Sequence, residues 1–442
     1  MRAIFSISWI KNLLTENKRF YNALFLSTIS AILSQGLNFL TLVFITRKLG
    51  ESSMGHFSVI QSVVLLLASF GLLGQNISST ALTSRFRSKY PNLAGLLIGN
   101  TYMLSASVLA VVGLTAGLTS AYFFPEIYLD ALSRSLSLAV VIVWTFSMTF
   151  DMLQVGILIG FEAYKDLVKT DALKGMISIS LILPLATRFG VAGLLTGYIV
   201  SSILGVLTNQ YFIRKNLKQY NLRIRFKFSP MIIRKILNIG MPVFTASLFI
   251  SFATWLTNKL IFAEANGAVA LGIVFVCRQI MTLIQFFPVQ ISRVVLPIIA
   301  GGNNQNDKRK VSKLSLATVL LVCFSLAFAG LIFEKFILLA YNLDPLTAAI
   351  PYRIILITVI FSAVNMILGQ FVIAGKNPWV RTYADIAIAV LMVVITLLLR
   401  ETHLYTALPY AMLVSFIISD LIIIFHLKGR KLLINGFLKN NL

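Results

Sequence analysis

The sequence contains few charged residues and few residues with reactive side chains. Only 12% of its 442 residues are charged, whereas soluble globular domains carry roughly 25%. Its two cysteines, Cys277 and Cys323, lie inside apolar runs, and it has three histidines. It contains no CxxC pair and no Cys/His cluster with the spacing of metal ligands. The sequence therefore predicts no disulfide framework, no metal site and no cofactor.

Acidic residues are the scarcest charged group, with 15 against 38 basic residues and a net charge of +23. In a soluble protein this excess would indicate nucleic-acid binding. Here the basic residues lie mostly between long apolar runs, 58% of the chain is hydrophobic, and the mean hydropathy is +0.87. The pattern instead predicts an integral membrane protein with no nucleic-acid partner.

Twelve apolar runs are long enough to cross a bilayer, which takes about 20 residues per helix. The predicted fold class is therefore all-α and membrane-integral, with about 12 transmembrane helices. The predicted spans are 21–46, 55–78, 93–118, 135–160, 171–187, 191–213, 236–262, 268–300, 314–336, 350–374, 379–399 and 404–426.

The spans fall into two groups of six, separated by a basic segment. Basic residues are concentrated in alternate loops, which by the positive-inside rule predicts that both termini are cytoplasmic. The predicted segments are an amphipathic N-terminal segment at 1–20, a first bundle at 21–213, a basic connector at 214–235, a second bundle at 236–426 and a basic tail at 427–442. Both terminal segments are expected to contact membrane lipids.

The two groups are related at an offset of 217 residues, which pairs Gly55 with Gly272. The first helix of each group carries one polar stripe on an otherwise apolar cylinder. The stripes consist of Ser27, Ser30, Ser34, Asn38 and Thr41, and of Ser247, Ser251, Thr254 and Asn258. Small polar residues can serve close helix packing, or the stripes can face a shared wet cavity between repeats, as in many transporters. Both interpretations remain open at this point.

Ionisable side chains inside a span cost free energy and usually face a cavity or a partner. Arg278 lies about ten residues into the eighth span, with Gln285 and Arg293 on the same side of the helix. Arg278 either bonds to backbone carbonyls or lines a cavity. Arg293 and Lys259 are nearer to helix ends, where their ammonium or guanidinium groups could instead reach the interface.

Asp385 and Asp151 are the candidates among the acidic residues within the spans. Asp385 has Arg381 one helical turn earlier, a spacing that predicts a local ion pair. Asp151 has no partner at helical spacing, so it could bind a proton or sodium ion or pair with a cation such as Arg278. These two acids are the candidates for ion coupling.

Several segments resemble the polysaccharide-unit flippases of the multidrug/oligosaccharidyl-lipid/polysaccharide exporter superfamily. LGESSMG at 49–55 is similar to that family's LGxxxxG signature, and GILIGFEAYK at 156–165 to the end of its helix four. GVAG at 190–193 resembles its turn between helices five and six, and IGMP at 239–242 and LP at 296–297 resemble patterns in its helices seven and eight.

The resemblance implies two six-helix bundles arranged in a V and a mechanism of alternating access. It implies export of undecaprenyl-pyrophosphate-linked oligosaccharides across a bacterial inner membrane, with the polysaccharide polymerase and chain-length machinery as candidate partners. The predicted substrate-binding residues are Arg278, Arg293, Gln285, Lys259, Ser34, Asn38, Ser251, Thr254 and Asn258.

Three other functions are compatible with the hydropathy. A drug or cation exporter of the same superfamily would favour acidic groups in the cavity, which mid-membrane Arg278 opposes and Asp151 permits. A membrane-embedded polysaccharide polymerase or ligase would need a larger outer loop with catalytic groups than this sequence offers, and no nucleophile or phosphate-binding motif is present. The last alternative is a non-transport assembly scaffold.

Overall fold

The computed structural model describes the backbone of residues 18–89, 91–128, 133–219, 222–301, 305–374 and 377–429. Within these ranges, the side chains of 18–34, 87–92, 293–311, 374, 378 and 428–429 are not described. Most of the predicted N-terminal segment and of the predicted basic tail therefore lies outside the described residues.

Over the described residues the chain is almost entirely helical. The α-helices are α1 (Lys18–Leu72), α2 (Gln75–Lys89), α3 (Pro91–Phe123), α4 (Arg134–Gly160), α5 (Tyr164–Ile177), α6 (Leu183–Gln219), α7 (Pro230–Phe262), α8 (Gly267–Gly301), α9 (Gln305–Ile332), α10 (Glu334–Ala340), α11 (Pro345–Ala374), α12 (Pro378–Leu399) and α13 (Leu404–Gly429). A short 3-10 helix spans Pro125–Ile127, and a π-helical segment, Ser178–Ile182, joins α5 to α6.

Sharp bends at two glycines explain how these helices make twelve crossings. Ten helical stretches in the described ranges are long and apolar enough to span a membrane, and two of them have 52 and 56 residues. The first of these bends at Gly50 (φ 81°) and the second at Gly190 (φ 61°). Positive φ is readily adopted only by glycine. Each long stretch therefore crosses twice, which confirms the predicted all-α membrane fold with about 12 spans.

Gly55 and Gly272 lie where the two bundles approach most closely. A Cβ atom on Gly55 would overlap the carbonyl oxygen of Ala268, and one on Gly272 would overlap the carbonyl oxygen of Glu51. Glu51 and Ala268 are also 217 residues apart. The contact is therefore reciprocal, as expected for two repeats related by a pseudo-two-fold axis.

Further contacts join the bundles at the membrane face that carries the Gly50 bend, called here the Gly50 face. The Lys259 ammonium lies 3.0 Å from a carboxylate oxygen of Glu126 and donates to the carbonyl of Phe123 at 2.8 Å. The rings of Phe124 and Trp255 are 5.2 Å apart. With the reciprocal glycine contact, these pairs hold the bundles together at this face.

The connector between the bundles lies at the opposite face and is non-helical from 222 to 229. It packs on α3, where Arg225 donates its N–H to the carbonyl of Gly95 at 3.0 Å. The Asn100 side chain donates to the carbonyl of Lys227 and accepts from Ser229 N–H, both at 2.8 Å. The non-helical connector is shorter than the predicted 214–235, because the helices on both sides continue beyond the apolar runs.

Candidate functional site

Arg278 of α8 lies between two cavities. The first, called the interbundle cavity, has a volume of about 160 Å³ and is lined by α1, α7 and α8. The second, the C-bundle cavity, has a volume of about 400 Å³ and is lined by α7, α8, α12 and α13. Arg278 and Thr254 line both. Two neighbouring spaces therefore share one cationic side chain.

The guanidinium of Arg278 has no hydrogen bond and no ion pair with any described residue. A structural arginine in a span would bond to backbone carbonyls or to an acid. An unpaired buried cation costs several kcal/mol unless another group compensates it. The geometry therefore favours the cavity-lining interpretation of Arg278 over the structural one.

The other predicted substrate-binding residues of the second bundle are distributed around this centre. Asn258 lines the interbundle cavity with Thr254, and its amide approaches the Ser58 carbonyl at 3.4 Å across the bundle interface. Ser251 is half-buried on α7. Gln285 instead donates to Ser362 of α11 at 2.8 Å.

The described structure does not place Lys259, Arg293 or Ser34 at this centre, and Asn38 lines a different cavity. Lys259 is held at the Gly50 face by Glu126, close to the helix end where the sequence also allowed it to lie. The side chains of Arg293 and Ser34 lie outside the described residues. Their roles as substrate-binding residues stay predictions.

A third cavity, called the N-bundle cavity, has a volume of about 200 Å³ and lies among α1, α4, α5 and α6. Asn38 and Asp151 line it together with Lys174, which lies near the start of the predicted span 171–187. The Lys174 ammonium lies 2.6 Å from both carboxylate oxygens of Asp151. The side chain of Asn209 adds a 2.9 Å hydrogen bond to the same acid. Asp151 is therefore paired with Lys174 and not with Arg278.

Helix length explains why the sequence did not reveal this pair. The apolar run predicted a span beginning at 171, but α5 begins at Tyr164, so Lys174 lies ten residues into the helix. Gly205 of α6 lies against the pair, and a Cβ there would contact both Lys174 and Asp151. The close approach of α6 at this glycine encloses the ion pair.

The second bundle contains a larger polar network around Arg381. Its guanidinium pairs with Asp385 at 2.8 Å, which confirms the ion pair predicted from their spacing. It also donates to the Asn365 side-chain oxygen at 2.7 Å, and Asn365 donates to Ser419 at 2.8 Å. Asp385 and Arg381 line the C-bundle cavity. Asp385 is thus neutralised locally, as Asp151 is in the other bundle.

Asp420 of α13 is a buried acid that the sequence analysis did not select. Only 5% of its surface is exposed, and neither carboxylate oxygen has a hydrogen-bond partner within the described structure. Its polar neighbours are Asn365 and Arg381. An acid within the apolar run SFIISDLIIIF at 415–425 was the signal that could have identified it. Among the described residues, no group of three His, Cys, Asp or Glu side chains could hold a metal ion.

One stack of aromatic rings links the wall of the N-bundle cavity to the wall of the interbundle cavity. Phe57, which is fully buried, stacks on Tyr198 at 5.4 Å and meets Phe275 edge-on at 5.6 Å. Tyr198 lines the N-bundle cavity and Phe275 the interbundle cavity. The walls of the two cavities are therefore connected through Phe57.

Comparison with known proteins identifies both a family and a fold. A family profile described as polysaccharide biosynthesis protein matches residues 21–303. No curated protein matches the chain.

Solved structures share the architecture at low sequence identity. An inward-facing multidrug resistance MATE family transporter of the MOP superfamily is 15% identical, with TM-score 0.71, over 92% of this chain and 99% of that one. The lipid II flippase MurJ in an inward closed conformation is 16% identical, with TM-score 0.70, over 91% and 87%. A MOP superfamily transporter from Pyrococcus furiosus is 15% identical, with TM-score 0.64, over 92% and 96%. At these identities the likeness establishes the V-shaped exporter fold.

Proposed function

The chain belongs to the polysaccharide biosynthesis protein family, and from this membership we propose that it is a flippase for lipid-linked oligosaccharides. The proposed substrate is an oligosaccharide repeat unit on undecaprenyl pyrophosphate, moved across the bacterial inner membrane for surface polysaccharide assembly. Both termini are then cytoplasmic, and the connector face is the cytoplasmic face. The observation that carries the proposal is the unpaired guanidinium of Arg278 between two cavities.

The chemistry of Arg278 suits a pyrophosphate group. A guanidinium offers a planar fork of N–H donors that binds phosphate oxygens in pairs, and it stays charged when buried. The substrate's anion would supply the partner that Arg278 lacks within the protein. The prenyl chain of the substrate would remain in the apolar interior of the bilayer.

Alternating access requires the bundles to separate at one face while they close at the other. The reciprocal contact of Gly55 and Gly272 closes the Gly50 face here. Opening this face would also have to separate the Lys259–Glu126 ion pair and the rings of Phe124 and Trp255.

Substitutions of Arg278 test the proposal. Arg278→Ala should abolish export of surface polysaccharide while the protein stays inserted and abundant. Arg278→Lys should retain only part of the activity, because lysine keeps the charge but loses the planar fork. Arg278→Glu should be the most damaging of the three, because it repels the anion. The measurement is surface polysaccharide normalised to the amount of protein in the membrane.

Arg188, which is exposed at the Gly190 bend, provides the matched control, and Arg188→Ala should leave export unchanged. Full normalised activity in Arg278→Ala would remove the anion-binding role. If all three Arg278 variants lowered abundance with activity per molecule preserved, Arg278 would be a structural residue.

A drug or cation exporter is the second candidate, and it needs an acid free to bind a cation. The acids that line the described cavities are Asp151 and Asp385, and each is paired with a basic residue. The geometry therefore supports an anionic substrate better than a cationic one.

A further inference from the structure

The N-bundle cavity is polar on every side although it lies among membrane-spanning helices. Its lining consists of the Asp151–Lys174 pair together with Gln35, Asn38, Ser178, Tyr198, Ser201 and Ser202. In a span, polar side chains face one another or a polar occupant, because lipid offers them no hydrogen bonds.

Several of these groups are not used by the protein. The side chains of Gln35, Ser201 and Ser202 make no hydrogen bond to the described residues. The Asn38 oxygen accepts from the Tyr198 hydroxyl at 3.1 Å, which leaves the two amide hydrogens of Asn38 available. The cavity therefore presents donors and acceptors together, from two amides and two hydroxyls.

The charge of the cavity excludes an ionic occupant. The ammonium of Lys174 lies 2.6 Å from both oxygens of Asp151, the place that a bound cation would take. The same pairing leaves Lys174 with no free charge for an anion. Neutral hydroxyl groups, which both donate and accept, match this lining.

The backbone structure of the segment that borders the N-bundle cavity supports a binding role for this cavity. The π-helical segment Ser178–Ile182 begins at a lining residue. Single π-helical turns within α-helices are rare and occur frequently at functional sites. The helix here departs from regular geometry at the point where it borders the cavity.

We propose that the N-bundle cavity is a subsite for one neutral sugar ring of the transported oligosaccharide, bound through its hydroxyl groups. The proposal rests on the proposed flippase function. The volume of about 200 Å³ accommodates a single ring and not a chain. The Phe57 ring contacts both Tyr198, which lines this cavity, and Phe275, which lines the interbundle cavity beside Arg278. A sugar close to the pyrophosphate is therefore the one that this subsite would hold.

The test compares two ligands on the purified full-length protein in lipid nanodiscs. One is the lipid-linked repeat unit extracted from the source cells, and the other is undecaprenyl pyrophosphate without sugar. Wild type should bind the glycosylated lipid more tightly. Ser201→Val combined with Ser202→Val should lose roughly tenfold of that preference, the effect of removing two hydrogen bonds, while binding of the sugar-free lipid stays unchanged.

Two variants separate this proposal from the flippase proposal and from nonspecific effects. Arg278→Ala should weaken binding of both ligands by a similar factor, because it acts on the pyrophosphate. Ser180→Val lies in the same π-helical segment but on an exposed surface, so it should change neither affinity. If the double variant fails to insert, Ser202→Ala provides the same comparison, because it removes one hydroxyl without adding volume. The preference for the glycosylated lipid should then fall by about threefold.

An unchanged preference for the glycosylated lipid in the serine variants would overturn the sugar subsite. So would a sodium-dependent rise in the melting temperature of wild type that Asp151→Asn removes, since that result would make the cavity a cation site. Retention of the preference in Arg278→Ala, with both affinities lowered, would support the subsite independently of the anion site.

Discussion

The two bundles bury similar polar networks at equivalent crossings, but with the acid and the amide exchanged. In the first bundle, Lys174 of the fifth crossing lies between Asp151 of the fourth and Asn209 of the sixth. In the second bundle, Arg381 of the eleventh crossing lies beside Asn365 of the tenth and Asp420 of the twelfth. A basic residue on the fifth helix of each repeat is thus the common feature.

The difference lies in how completely the charges are balanced. The network of the first bundle is neutral, and Lys174 and Asn209 satisfy its acid. The second bundle contains two acids, Asp385 and Asp420, for one arginine, and Asp420 has no hydrogen bond among the described residues. The first network is therefore a closed structural pair beside a polar cavity, whereas the second contains one more acid than base. A repeated architecture has kept the place of the network while its charge balance diverged.

The largest expected effect follows from breaking the neutral pair. Asp151→Ala leaves the Lys174 ammonium, whose side chain is only 17% exposed, without its counter-charge. Loss of one partner of a buried ion pair costs about 3–5 kcal/mol. The free energy of unfolding in detergent should fall by that order, with a marked loss of membrane-inserted protein.

Removing both charges provides the control for this prediction. Asp151→Leu combined with Lys174→Met should recover most of the lost stability, because no unpaired charge remains. If Asp151→Ala were as stable as wild type, the interpretation of the first network as a closed pair would be wrong.

A smaller effect is expected at the reciprocal contact between the repeats. Gly55→Ala and Gly272→Ala each place a methyl group against a backbone carbonyl of the other bundle. Overpacking of this kind costs about 1–3 kcal/mol, so both variants should shift the protein towards a state open at the Gly50 face. Spin labels at Glu51 and Ala268 in a double-cysteine variant, on a background lacking Cys277 and Cys323, would report the distance.

Gly36 is the matched control, since nothing lies within 4 Å of a Cβ built there. Gly36→Ala should leave the distance distribution unchanged. Because the contact is reciprocal, the two test variants should produce similar shifts. A shift in only one of them would contradict the pseudo-two-fold relation of the repeats.

The smallest effect is expected at Asp420, and its sign distinguishes the two acids of the second network. Asp420→Asn replaces a buried carboxyl group, which has no hydrogen bond to the described residues, with a neutral amide, so the melting temperature should stay constant or rise slightly. Asp385→Asn weakens the ion pair with Arg381 and should lower the melting temperature, by an amount on the order of 1–3 kcal/mol in stability. A strong loss of stability in Asp420→Asn would show that this acid is satisfied in the folded protein.

Much of the fold was readable from local sequence properties. The apolar runs predicted twelve crossings, and the glycine pair at an offset of 217 residues predicted where the repeats correspond. The four-residue spacing of Arg381 and Asp385 predicted their ion pair, because residues four apart share one helix face. Each of these features depends on the chain near the residues themselves or on a comparison of two local patterns.

The candidate site was only partly readable. Arg278 was identified because an arginine in the middle of a membrane span costs free energy, whichever direction its side of the helix faces. The partner of Asp151 was not identified, because Lys174 is 23 residues away on another helix and lay in the first turn of the predicted span. Asp420 was visible in an apolar run, but only the structure shows that its carboxylate lacks a hydrogen bond.

The sequence by itself determined that the chain crosses a membrane about twelve times, since the length of an apolar run is a local property. Only the tertiary structure decided which polar groups meet. The position of α5 and its rotation about its own axis bring the Lys174 ammonium against the Asp151 carboxylate. The rotation of α8 leaves the Arg278 guanidinium facing a cavity without a partner among the described residues. Those two outcomes depend on neighbours that are distant in sequence, and for that reason no local pattern could specify them.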